Sequence, residues 1–219
     1  MFSRRPIAAA EEKVRSRNRP SGSIGLFRDR TFSSAAAIGL LLNIAFYGLI
    51  FVLSLFFQRD QGRSALATGL AFAPMTGVVM ATNVAAGRIA RVAGPRRVIR
   101  LGAVLAAAAC ALLLGVGRST PYRAMALPLT MLGGAVGLIV PLMTAELLGS
   151  VDRSQSGIAS GTLNTMRQTG SVIGVALFGS VVAGSVSGVA PGLHVVLAIS
   201  IGLLLATGGL ALGMAGRAA

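Results

Sequence analysis

SSAAAIGLLLNIAFYGLIFVLSLFF, residues 33–57, runs from Ser33 to Phe57 without one charged side chain. About 20 such residues suffice for a helix to cross the hydrocarbon core of a bilayer. Lipid offers no partners to backbone N–H and C=O groups, so a crossing segment must satisfy them internally, which a helix does. Five more apolar stretches follow, at about 65–86, 98–116, 124–148, 157–185 and 193–215. The expected fold is an all-α membrane protein: a basic segment over 1–32, then a bundle of six transmembrane helices over 33–217.

The composition points the same way. Mean hydropathy is +0.77. Of 219 residues, 54% are hydrophobic and 12% charged, against about 25% charged in soluble domains. A net charge of +14 raises the question of nucleic acid, and the placement of the charge answers it. Threading six spans puts Arg4, Arg5, Lys13, Arg15, Arg17, Arg19, Arg28 and Arg30 on one side, with Arg88, Arg91, Arg96, Arg97, Arg100, Arg153 and Arg217. The other side holds only Arg59, Arg63, Arg118 and Arg123. Basic residues concentrate in cytoplasmic loops, so both termini are expected in the cytoplasm of a multi-pass inner-membrane protein. The expected large partner is the lipid bilayer, with no nucleic acid. The opening segment MFSRRPIAAAEEKVRSRNRPSGS has no apolar core behind its charges and reads as solvated rather than as a secretory signal.

Few residues can carry chemistry. Cys110 and His194 are the single cysteine and histidine, too few for a disulfide framework or a multi-ligand metal site. Cys110 reads as apolar filler and His194 as an interfacial residue. No nucleophile–base pair or phosphate loop is present, so an enzyme is not expected, nor a cofactor. GGAVG (133–137), GIASG (157–161) and GSVIG (170–174) place glycines four apart, on one helix face, where a neighbouring backbone can approach. The fourth and fifth helices are therefore expected against protein rather than lipid. Pro74, Pro128 and Pro141 fall inside spans, where proline removes a helix bond and favours a kink.

Arg167 stands out. It lies within the fifth span, and an arginine at the middle of a span costs about 2.5–3.5 kcal/mol on insertion scales. Ser160, Asn164, Arg167, Gln168 and Ser171 share one side of that helix. Glu146, near the end of the fourth span, is the only acid within a span, and the short turn SVDRSQS makes the two helices expected neighbours. Glu146 and Arg167 are thus expected to approach each other. They form either a buried ordering network with Asn164 and Gln168, or a proton or cation site. On the first helix, Asn43, Tyr47 and Ser54 make a second polar stripe, and Asn83 is a lone amide on the second.

Three stretches resemble one family. GRIARVAGPRR (87–97) resembles the Gly-x-x-x-Asp-x-x-Gly-Arg-Arg loop of the major facilitator superfamily. SGIASGTLNTMRQTGSVIGVALFG (156–179) resembles a helix of its 14-helix drug:proton antiporters, the EmrB/QacA type. SGSIGLFRDRTFSSA (21–35) resembles the cytoplasmic lead-in to their ninth helix. Gly87, Gly94, Arg96 and Arg97 match the loop, while Arg91 stands where the family has Asp. The acid-to-helix contact proposed for that loop is therefore not available here, and the loop is expected near anionic lipid heads. The resemblance implies the C-terminal six-helix half of such an exporter, three plus three helices, exchanging protons for amphiphilic drug-like substrates. It places Asn43, Tyr47, Met131 and Met143 as lining the substrate cavity, with packing between helices as the open alternative. It also implies that the chain is truncated and not competent alone, with a separately encoded N-terminal half, a homodimeric half-transporter and a non-transporting interaction protein as alternatives.

Overall fold

The computed structural model describes residues 23–184 and 188–214. Arg217 and most of the basic segment lie outside them. After a single helical turn, Ser23–Leu26, come six long helices: α1 Arg30–Leu55, α2 Ala65–Ala93, α3 Pro95–Leu113, α4 Tyr122–Gly149, α5 Ser156–Ala183 and α6 Val189–Gly213. A π-helical turn, Phe56–Asp60, extends α1, and a 3-10 turn, Arg153–Gln155, leads into α5. No strand occurs among the described residues. The fold is all-helical.

Local chemistry sets the boundaries. Asp29 caps α1, accepting the Phe32 N–H at 2.8 Å, which moves the helix start ahead of the apolar stretch. Ser64 caps α2 through the Ala67 N–H at 3.2 Å. The largest departure from expectation lies between α2 and α3. The sequence reads as a loop from Gly87 to Arg97, yet the chain stays helical to Ala93 and resumes at Pro95. Only Gly94 breaks it, with φ +83°. That region is open to glycine at no steric cost, and proline suits the first helical position because its missing N–H would be unpaired there anyway.

Five helical segments are long and apolar enough to cross a membrane: Arg30–Asp60, Ala65–Ala93, Tyr122–Gly149, Arg153–Ala183 and Val189–Gly213. The sixth helix, α3, is shorter at 19 residues and carries Arg96, Arg97 and Arg100 in its first two turns.

The helices pair in a repeating pattern. α1 packs on α5 and α6, α4 packs on α2 and α3, and α3 and α6 meet each other, as do α1 and α4. Exchanging α1 with α4, α2 with α5 and α3 with α6 maps this set of contacts onto itself. That repetition of contacts is invisible as similarity in the sequence. α1 and α4 take the centre, with Phe32, Ile38, Leu42, Leu49, Leu129 and Ile139 buried. α2 and α5 lie outside and leave Leu66, Leu70, Met80, Val84, Val172 and Leu177 exposed.

Small residues make the two outer seams. A Cβ at Gly170 would stand 2.5 Å from the Leu40 carbonyl oxygen of α1, and one at Gly174 would overlap Ile44. In the matching seam, a Cβ at Gly133 would stand 2.7 Å from Met75 of α2, and one at Gly137 would overlap Thr82. GIASG behaves differently: nothing lies within 4 Å of a Cβ at Gly157 or Gly161. The expectation that both α4 and α5 are enclosed by protein therefore holds for α4 and fails for most of α5.

Candidate functional site

At the arginine-rich end, the start of α1, the junction of α2 and α3, and the end of α4 surround a cleft of about 670 Å³. Asp29, Thr31, Arg91, Arg96, Arg97, Glu146 and Ser150 supply its polar lining, with Val92 and Gly94 among the remaining wall residues. Arg91 and Arg97 are exposed, whereas Arg96 is half-buried. The Arg96 Nη2 atom is buried with no hydrogen-bond partner among the described residues. The Asp29 carboxylate is engaged in its helix cap. Of the loop motif, Gly87 lies outside the cleft, on an exposed turn of α2 with nothing within 4 Å of a Cβ.

Glu146 opens into this cleft, and the Arg118–Asp60 ion pair lies elsewhere, at the opposite end. No direct ion pair joins Glu146 and Arg167. The short turn does bring the chain back, but α4 and α5 scarcely touch, because each has its glycine seam on another helix, α2 and α1 respectively. Arg167 lies roughly 16 Å into α5 at 1.5 Å per residue. Its stem passes Gly39 of α1, where a Cβ would stand 3.3 Å from the Arg167 Cγ, and its Nε is buried and unpartnered.

The polar stripe of α5 straddles the edge of that seam. Ser160, Asn164 and Gln168 are exposed. Ser171 turns inward, donating to the Arg167 carbonyl at 3.0 Å and lying 3.5 Å from the Asn43 Oδ1. Asn43 is buried and donates to the Gly39 carbonyl at 2.7 Å. Met143 is fully buried, next to Gly39. Asn43 and Met143 thus pack helices together and line no open surface of this bundle. Tyr47 is exposed, edge-on to Phe46, and Met131 is half-buried. Asn83 is exposed, bonded to its own helix at Val79, and Ser54 pairs with Gln58. The sequence-predicted residues form no single site.

The opposite end holds a clamp that sequence reasoning missed. The π-helical turn delivers Asp60, whose carboxylate accepts the Val189 N–H at 3.1 Å and the Ala190 N–H at 2.8 Å. It thereby caps α6 and approaches Arg118 at 3.7 Å. His194 Nε2 lies 2.9 Å from the Val116 carbonyl. Arg63 sits 5.2 Å from the ring centroids of both Phe57 and Tyr122. The available signal was an acid directly after an apolar run, in FFQRD. Its partner, an uncapped helix start about 130 residues on, is visible only in three dimensions.

The family profile described as Major Facilitator Superfamily matches residues 2–175. A methylenomycin A resistance protein of Streptomyces coelicolor is 33% identical over 156 residues, 71% of this chain and 33% of that protein. One of the same description from Bacillus subtilis is 32% identical over 159 residues, 72% of this chain and 34% of that protein. The multidrug resistance protein Stp of Mycobacterium tuberculosis is 30% identical over 169 residues, 75% of this chain and 30% of that protein. The matched region spans about a third of the length of these curated relatives.

Proposed function

The chain belongs to the major facilitator superfamily, and from that premise we propose that its six helices form the C-terminal bundle of a drug exporter of the 14-helix type. The bundle lies in the cytoplasmic membrane with all six helices crossing it and both termini in the cytoplasm. In the working transporter it rocks against a second bundle around a midplane cavity, exchanging protons for amphiphilic drugs. The names of the relatives support a drug as cargo, and transport rather than catalysis is the activity.

One observation carries the reading. The packing repeats under exchange of α1–α3 with α4–α6, and it leaves the corresponding helices α2 and α5 with open faces. A second bundle completes the structure there. α5 offers that side an amide pair, Asn164 and Gln168, and α1 offers Tyr47, while Met131 of α4 is half-covered. Aromatic and thioether side chains accommodate varied apolar ligands because they pack adaptively.

The test is ethidium accumulation in efflux-deficient bacteria expressing this polypeptide, alone and with the N-terminal portion of the Mycobacterium tuberculosis relative. Lower accumulation in one of these states, abolished by a protonophore, is the expected outcome. Accumulation equal to that of empty cells in both states rejects the proposal. Orientation is read separately: a cysteine placed at Arg97 in a Cys110→Ser chain reacts with an impermeant maleimide only after cells are opened.

A further inference from the structure

Export leaves one constellation without a task, the cleft at the arginine-rich end. Its charges do not balance. Arg91, Arg96 and Arg97 line it against two carboxylates, Glu146 and Asp29, and the latter also accepts an N–H of α1. The helix α3 starts in the cleft wall at Pro95 with no side-chain cap, so the partial positive charge of its first turn adds to theirs. The buried Arg96 Nη2 has donors and no acceptor. Buried polar groups in folded proteins are nearly always hydrogen-bonded, so the partly exposed Arg96 guanidinium is left short of acceptors within the protein. The wall also includes Val92, 92% exposed, with Ile89 exposed one turn earlier on α2. Charged donors beside uncovered apolar side chains suit an amphiphile.

We propose that this cleft binds a phosphate group, with Arg96 and Arg91 as its donors and Val92 beside the chain that carries it. A planar guanidinium presents paired N–H groups to two phosphate oxygens, and a helix start adds favourable potential for an anion. Such a group reaches the cleft either as the headgroup of an anionic phospholipid or as free phosphate. The proposal needs no transport and stands apart from the export reading.

The chain purified in detergent tests it. Thermal unfolding is followed by the reaction of buried Cys110 with a thiol dye, while phosphatidylglycerol, diacylglycerol or inorganic phosphate is titrated in. Phosphatidylglycerol is expected to raise the midpoint in a saturable way, with diacylglycerol and inorganic phosphate without effect at equal concentration. A full shift by inorganic phosphate instead assigns the same residues to free phosphate. Arg96→Gln is expected to weaken the apparent affinity about tenfold, the scale of one charge-assisted bond. Glu146→Gln removes an opposing charge and is expected to tighten it severalfold. An equal shift by diacylglycerol, which has the chains and no phosphate, overturns the proposal. If Arg96→Gln fails to fold, an unchanged phosphatidylglycerol dependence in Glu146→Gln overturns it alone.

Discussion

Alanine at Gly170 puts a methyl carbon 2.5 Å from the Leu40 carbonyl oxygen and 3.2 Å from both the Leu40 carbonyl carbon and the Asn43 Cβ. Comfortable contact between heavy atoms begins near 3.5 Å, so α1 and α5 must part by about 1 Å. A gap of that size forfeits roughly a quarter to a half of the attraction between facing atoms along the seam. Overpacking a close-packed contact costs about 1–3 kcal/mol. Here the nearest atoms are backbone and cannot rotate away, which places Gly170→Ala near the top of that range. Gly161→Ala is the control. It lies in the same helix with nothing within 4 Å, and there alanine gains up to about 1 kcal/mol of helix propensity. Reversible unfolding in mixed micelles with rising dodecyl sulfate, followed by helicity, should separate the two variants by about 3 kcal/mol. Equal stabilities would refute the backbone-contact account of the α1–α5 seam.

Asp60→Asn keeps an acceptor for α6 but loses the negative charge at its start. It should lower stability by about 1–2 kcal/mol in the same unfolding series, with little of that from Arg118, whose side chain is 57% exposed. Gly94→Ala meets no atom within 4 Å but must hold φ +83°. A cost of about 1–3 kcal/mol without loss of helicity is expected, and a neutral result would mean that the junction relaxes. Cys110 is fully enclosed. It should resist a maleimide in mild detergent and react on addition of dodecyl sulfate, and prompt labelling in mild detergent would contradict the packing of α3.

Much of the fold was legible because the bilayer imposes a one-dimensional rule. Apolar length decides where helices lie, and six apolar stretches correspond to six long helices. Their ends were less legible, since Asp29 and Gly94 set them through single hydrogen bonds and one backbone angle. The site was least legible. Asn43 and Tyr47, one helical turn apart, read alike in sequence, yet one is buried against α5 and the other is exposed.

From residue order alone came the solvent, the helical class and the concentration of arginines toward one side, since each follows from local composition and segment length. Which helix meets which was decided by tertiary structure. The turn between α4 and α5 makes them neighbours along the chain, but glycine seams that admit backbone contact draw α4 to α2 and α5 to α1. That packing gathers Arg91, Arg96 and Arg97 around one cleft and brings Asp60 to the start of α6. Close packing depends on surfaces from distant parts of the chain fitting together, and no local pattern encodes that fit.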